Sequence, residues 1–242
     1  MKKALKAFKG HKQLCFLDFE GTQFSHEMIA FGAVLVTIDK NGYVIKKKPS
    51  MKRLVKAKNA VGKYVENLTG ITRLDLDRFG ISFSAAMKDL KKYCGMGFSR
   101  KISFITFGTH DLRILNQSIS YNLDSPKEIC QVIKSNYVDF QAMIAEFIKD
   151  EKGNPLSLSH YLDVFKLEFD GTAHDPEYDA TNLAKLYDAF MRNKDIVLDE
   201  FKKNIKRTTY HPEPVNRVMQ KLSNNEPVTP EDLEMFLKEY ID

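Results

Sequence analysis

Residues 14–20 read Leu-Cys-Phe-Leu-Asp-Phe-Glu, an apolar run that carries two carboxylates, Asp18 and Glu20. Alternate residues of a strand point to the same side of a sheet, so a strand here would present both acids on one face. Burying two uncompensated charges is costly, and a divalent cation that prefers carboxylate oxygens, such as Mg²⁺, would compensate them. Two solvated acids on an edge strand explain the pattern equally well.

The sequence around this run predicts an α/β fold in which helices flank a mixed five-stranded sheet. Asn41-Gly42 separates two β-branched runs and predicts a hairpin, which extends the first strand into a three-stranded meander. The predicted strands are 13–19, 28–38, 43–48, 102–107 and 137–140, and the predicted helices are 59–68, 84–93, 112–121, 142–149, 157–166 and 176–191. A further helix is predicted to start at the capping box Ser125-Pro126-Lys127-Glu128.

Beyond residue 194 the chain is charged and helical without strand signals, and Thr229-Pro230 begins a last amphipathic helix. We therefore expect one α/β domain at 1–194 and a helical C-terminal extension at 195–242. The extension could dock on a partner, form a dimerisation arm or cover the domain.

Two further motifs carry acids at the starts of helices. Asp111 follows a predicted strand at the strand-to-helix turn, where helix capping is the simpler explanation of an acid. Asp175-Pro176 is a strong helix start, which places His174 just before the helix and Asp179 on its first turns. Taken alone, His174 is an incidental surface residue.

The charge and composition favour a polyanionic partner. The net charge is +5, the pI is near 8.9, and seven basic residues crowd positions 46–58 (Lys46, Lys47, Lys48, Lys52, Arg53, Lys56 and Lys58). A solvated loop explains such a run alone, but beside acidic catalytic residues contact with phosphates becomes the better interpretation. Three widely spaced cysteines and the lack of a membrane-spanning stretch predict a cytoplasmic protein that makes no membrane contact.

In their order, these motifs resemble the DEDDh exonucleases, which are DnaQ-like 3′–5′ exonucleases of the ribonuclease H-like superfamily. Asp-x-Glu comes first, an Asp follows a strand in mid-chain, and His-x₄-Asp-Ala opens a late helix. Residues 67–71, Asn-Leu-Thr-Gly-Ile, resemble the loop between the first two motifs. The resemblance runs from about Lys12 to Met191.

The resemblance implies a metal-dependent hydrolase that removes nucleoside 5′-monophosphates from the 3′ ends of single-stranded RNA or DNA. Asp18, Glu20, Asp111 and Asp179 would hold two Mg²⁺ or Mn²⁺ ions, and His174 would be the general base that activates water. We expect substrate contacts at Gly21, Thr22, Phe24, Leu68 and Thr69. Gly21 stands where many members have Thr or Phe, which predicts more room near the terminal sugar.

Other interpretations of the same motifs assign the protein a different role. A nucleic-acid-binding module of the same fold would lack catalysis, although such modules are expected to lack one of the five residues. A proofreading subunit would keep the chemistry but dock on a polymerase, and a homodimer is a further possibility. The sequence does not discriminate RNA from DNA.

Overall fold

A six-stranded mixed sheet lies at the centre of the computed structural model, which describes residues 2–98, 101–207 and 211–242. The strands are β1 (Gln13–Gly21), β2 (Met28–Ile38), β3 (Val44–Lys47), β4 (Met51–Leu54), β5 (Ile102–Thr106) and β6 (Tyr137–Asp139). They are ordered β3-β2-β1-β5-β6, and β4 pairs with another part of β2. β1 is antiparallel to β2 and parallel to β5, so the predicted meander and the mixed sheet are confirmed.

The prediction of five strands is wrong, because the basic segment contains the additional strand β4. Met51 pairs with Ala33 of β2 and is buried, while Leu54 pairs with Ala30. Two charged residues stand between these apolar ones, so the segment lacks the strict alternation that predicts a strand.

Twelve α-helices within the described residues surround the sheet. They are α1 (Lys2–Ala7), α2 (Lys63–Thr69), α3 (Arg73–Phe79), α4 (Phe83–Cys94), α5 (His110–Tyr121), α6 (Lys127–Ser135), α7 (Phe140–Ile144), α8 (Leu158–Val164), α9 (Pro176–Arg192), α10 (Lys194–Arg207), α11 (Glu213–Ser223) and α12 (Pro230–Ile241). Of these, α1 and α3 were not predicted, and α7 is shorter and earlier than the predicted 142–149.

The late start of α2, at 63 rather than the predicted 59, follows from a buried acid. Glu27 is 1% exposed, and its Oε2 accepts hydrogen bonds of 2.9 Å from the backbone N–H groups of Lys58 and Asn59. These bonds hold the segment against β2 in a non-helical conformation. The helix begins only after Gly62, whose φ of +92° favours glycine.

The two faces of the sheet support different layers. Leu14 and Phe16 of β1 pack with α9, whereas Cys15, Leu17 and Phe19 pack towards α4 and α5. By the same alternation Asp18 and Glu20 lie on the α9 side.

The start of α9 lies directly on β2, because Gly32 has no side chain. A Cβ atom at Gly32 would come within 1.8 Å of the carbonyl oxygen of Pro176. Since Gly32 pairs with Asp18, this contact places the first turn of α9 beside the acids of β1.

The C-terminal helices share the core on this face. Val197 and Phe201 of α10 and Leu237 and Ile241 of α12 are buried in the same cluster as α9. The division at residue 194 stays a prediction. Within the described residues, the structure has no helix that is long and apolar enough to cross a membrane.

We predict that Gly32→Ala destabilises the protein by about 1–3 kcal/mol, the usual cost of overpacking, because backbone atoms cannot move aside. Urea unfolding measures the loss. Gly97→Ala is the matched control, since its Cβ would clash only with the end of the flexible Gln13 side chain and would meet Ile102 at an ordinary contact distance. Equal stability of the two variants would contradict the close contact.

Candidate active site

The two acids of β1 lie at the carboxyl end of the strand, in the middle of the sheet. The Oδ2 atom of Asp18 is buried and has no hydrogen-bond partner among the described residues. A buried, unpartnered carboxylate oxygen is unfavourable unless a proton or a cation satisfies it. Glu20 follows two residues later on the same face, just before a register shift in the β1–β2 pairing.

Asp111 is held against β1 rather than used as a helix cap. The N-cap of α5 is Thr109, and the Asp111 side chain is 5% exposed. Its Oδ1 accepts a hydrogen bond of 2.7 Å from the backbone N–H of Phe19, the residue between Asp18 and Glu20. The parallel pairing of β1 with β5 ends at Phe16. Asp111 therefore accepts from the N–H of Phe19, which β5 does not pair with.

The start of α9 brings in the last two residues of the predicted site. Asp175 caps the helix by accepting a hydrogen bond from the N–H of Glu177. His174 lies in the left-handed region, with a φ of +65°, and its N–H donates to Asp179 Oδ2 at 2.9 Å. Asp179 therefore orders the backbone of the histidine as well as facing β1.

The predicted residues converge from three separate segments. Glu20, His174 and Asp179 each offer a donor atom, and these atoms lie within 4.8 Å of one another. Asp18 precedes Phe19, whose N–H is bound by Asp111. Burial, followed by the negative charges of Asp111, Glu20 and Asp179, raises the pKa of Asp18. The four acids thus form one electrostatic unit.

Burial is the main reason that these acids hold protons more tightly than usual. Burial, followed by repulsion from Asp179 and Asp111, raises the pKa of Glu20 to about 8. Burial likewise raises the pKa of Asp111 to about 7 and that of Asp179 to about 6, although each accepts a backbone hydrogen bond that acts in the opposite direction. Burial raises the pKa of Asp18 well above its ordinary value.

The residues present fit a hard divalent cation. The set is rich in carboxylate oxygens, which Mg²⁺ and Mn²⁺ prefer, and one of these oxygens is the unpartnered Oδ2 of Asp18. A bound cation would compensate the mutual repulsion that raises the pKa values of the cluster.

We predict that without divalent cations the protein loses stability as the pH rises from about 4.5 to about 8. In this window the folded state holds protons on Glu20 and its neighbours that the unfolded state has released. Thermal unfolding in EDTA at pH 5.5 and pH 8 measures the loss, and Mg²⁺ should raise the Tm more at pH 8. A Tm that is independent of pH would contradict the burial of these acids.

The residues predicted to contact substrate fall into two groups. Phe24 is 83% exposed and Leu68 is 38% exposed, so both are open to a ligand. Thr22 is buried, and its Oγ1 accepts from the N–H of Glu27 and lies 2.6 Å from Ser25 Oγ. Thr69 Oγ1 donates to the carbonyl of Val65 within its own helix.

Gly21 packs against α5. A Cβ atom there would lie 2.9 Å from Cγ1 of Ile114, so the space beside Gly21 is occupied by that side chain. The extra room that the sequence predicts near the terminal sugar is therefore not provided by the missing side chain.

Tyr64 is an exposed aromatic residue that the sequence analysis missed. It is 65% exposed and precedes Leu68 by four residues, so both lie on one face of α2. The backbone N–H of Tyr64 donates to Gln23 Oε1, next to Phe24. The i, i+4 spacing of Tyr64 and Leu68 was the available signal.

A pair of histidine rings adjoins Asp111. The rings of His26 and His110 meet edge to face at 5.3 Å between centroids. Burial lowers the pKa of both below the ordinary value for histidine, and the charge of Arg113 acts in the same direction. No local sequence pattern predicts this pair, because the two residues are far apart in the chain.

Much of the predicted phosphate-contacting basic run is engaged within the protein. Lys52 pairs with Asp175, Arg53 with Asp89, and Lys56 with Asp77. Lys58 donates to the carbonyl of Tyr121. Lys46 and Lys47 remain exposed on the edge strand β3.

A mixed sheet with clustered acids at the carboxyl end of its central strand, and a histidine beside them, defines a nuclease of the ribonuclease H-like fold. The chain belongs to the exonuclease family, because the RNase_T family model, described as Exonuclease, matches residues 15–187. The predicted relationship to the DEDDh exonucleases is confirmed.

Solved nuclease structures share the fold at low sequence identity. The nuclease domain of 3'hExo, a DEDDh family member bound to rAMP, is 22% identical over 76% of this chain and 92% of its own, with a TM-score of 0.58. Cell-death related nuclease 4 (CRN-4) is 20% identical over 77% of this chain and 64% of its own, with a TM-score of 0.58. ExoI of E. coli, in complex with ssDNA, is 16% identical over 78% of this chain and 42% of its own, with a TM-score of 0.54. A search of curated proteins gives no match.

Proposed function

We propose that the protein is a 3′–5′ exonuclease that hydrolyses single-stranded RNA or DNA and releases nucleoside 5′-monophosphates. The observation that carries the proposal is the convergence of Asp18, Glu20, Asp111 and Asp179 on one buried cluster beside His174. No fold requirement accounts for an unpartnered buried oxygen on Asp18. Membership of the exonuclease family supports the same chemistry.

The four acids are the ligands that would hold two Mg²⁺ or Mn²⁺ ions. When bound, such ions supply Lewis-acid stabilisation of the charge that develops on the phosphoryl group. Once the carboxylate oxygens coordinate cations, their lone pairs are engaged and poorly able to accept a proton, so the general base must come from elsewhere in the site.

His174 is the side chain placed to act as that base. It is exposed, and it lies beside Glu20 and Asp179. Its imidazole would take the proton of the attacking water as the oxygen of that water bonds to phosphorus. The bond from phosphorus to the 3′-oxygen of the preceding nucleotide then breaks, and that oxygen takes up a proton from solvent, which leaves a 3′-hydroxyl on the shortened strand and a 5′-phosphate on the product.

The exposed side chains of Phe24, Tyr64 and Leu68 form the proposed contact for the terminal bases. Phe24 follows closely after Glu20, and Tyr64 is tied to the same turn through Gln23. Any base can stack on an aromatic side chain, and the bases of an unpaired strand are free to turn onto such a side chain. These contacts support a preference for single strands. They do not discriminate between RNA and DNA.

We expect Asp18→Asn and Asp179→Asn to reduce the release of 5′-monophosphates to background, because each removes a charged metal ligand. His174→Ala should lower kcat by about 10²–10⁴-fold, the usual contribution of a general base. A digestion panel with Mg²⁺ or Mn²⁺ should compare 3′-tailed RNA, single-stranded DNA and very short oligoribonucleotides, with EDTA as the metal-free reference.

Asp163→Asn is the control for these variants, since Asp163 is an exposed acid on α8. Full activity of purified Asp18→Asn or Asp179→Asn would disprove the assignment. Binding of the oligonucleotides without cleavage in any metal would instead favour a binding module that lacks catalysis.

Phe24→Ala and Tyr64→Ala should each weaken substrate binding by about 1–3 kcal/mol, the usual contribution of a stacked base, and should raise KM more than they lower kcat. Phe79→Ala, which removes an equally exposed aromatic side chain from α3, is the matched control. If all three variants had the same KM as the parent protein, the terminal bases would bind elsewhere.

A further inference from the structure

Lys52 lies in a transverse row with the first acid of the site. Asp18 pairs with Gly32 across β1 and β2, and Gly32 pairs with Lys52 across β2 and β4. Residues that pair directly across antiparallel strands point to the same face, so Lys52 shares the α9 side of the sheet with Asp18. Gly32 leaves the space between them to the start of α9.

Lys52 spans this space to reach the helix. Its Nζ lies 2.7 Å from Asp175 Oδ2, and the two side chains are only 30% and 27% exposed. The other oxygen of Asp175 accepts the N–H of Glu177 at 3.0 Å, so one carboxylate caps the helix and binds the lysine. Ser50, two residues before Lys52, donates to Glu177 Oε1 at 2.5 Å.

These contacts hold the residue next to His174. A non-glycine residue in the left-handed region is strained and persists only where its surroundings hold it. The N–H of His174 is bound by Asp179. The residue that follows His174, Asp175, forms the ion pair with Lys52.

We propose that Lys52 is a positioning residue for His174, which acts by anchoring Asp175 to the sheet. The inference rests on the proposed role of His174 as the base. This role for Lys52, whose ammonium group is bound by Asp175, differs from the phosphate contact that the sequence suggested for the basic run.

Kinetics of four variants test this role: Lys52→Ala, Asp175→Asn, the double variant and Lys52→Arg. Asn is a good N-cap, so Asp175→Asn keeps the cap and removes the ion pair. We expect either single variant to lower kcat about tenfold, which corresponds to about 1.4 kcal/mol, with little change in KM. The double variant should be no worse than either single one, and Lys52→Arg should retain most of the activity.

The matched control is Lys221→Ala. Lys221 forms an ion pair of 2.9 Å with Asp232, an acid that also caps a helix, and the two side chains are 27% and 18% exposed. This pair lies between α11 and α12, so its loss should leave kcat unchanged. Losses that multiply in the double variant, or a raised KM with normal kcat in Lys52→Ala, would overturn the proposal.

Hydrogen exchange gives a readout that does not require activity. Peptides that cover residues 172–176 should exchange faster in Lys52→Ala and Asp175→Asn than in the parent protein or in Lys221→Ala. Unchanged exchange would overturn the anchoring role. If the parent protein cleaves none of the oligonucleotides, the proposed function fails, and the exchange data still decide whether Lys52 holds the segment.

Discussion

The contact between Gly32 and the carbonyl of Pro176 fixes the geometry on which the site depends. A helix packed on a sheet normally stands off by the length of the intervening side chains, but here its first turn touches the strand backbone. This approach brings Asp179 and His174 within reach of Glu20, and it lets Lys52 extend across β2 to Asp175. A larger residue at position 32 would separate the acids of β1 from those of α9.

The close approach of α9 to β2 concentrates acidic side chains in a largely buried site. Burial raises the pKa values of all four acids, and repulsion from neighbouring carboxylates adds to the rise, so the cluster is unfavourable in its ionised form. The rest of the molecule offsets this penalty through the aromatic packing beneath α9, where the ring of Tyr187 meets those of Phe16 and Phe140. A local loss of stability of this kind is typical of sites that bind ligands or carry out chemistry.

Sequence reasoning found what is encoded locally and missed what depends on long-range contacts. The pair Asp18 and Glu20 is recognisable because acids interrupt an apolar strand. Asp175-Pro176 likewise predicts a helix start. By contrast, β4 was not predicted. Its two charged residues, Lys52 and Arg53, are stabilised by ion pairs with Asp175 at the start of α9 and Asp89 on α4, and both partners are distant in the sequence. The packing of Gly21 on Ile114 and the pairing of His26 with His110 join segments about 90 residues apart, and no local pattern predicts them.

The wide spacing of the site residues along the chain has a consequence during synthesis. A growing polypeptide carries Asp18 and Glu20 from early on, but Asp179 emerges only after some 160 further residues have been added. The helix that bears Asp179 then packs in the same core as α10 and α12, which are made later still. The part of the core that α9 shares with α10 and α12 can therefore be completed only after the last of these helices has been translated.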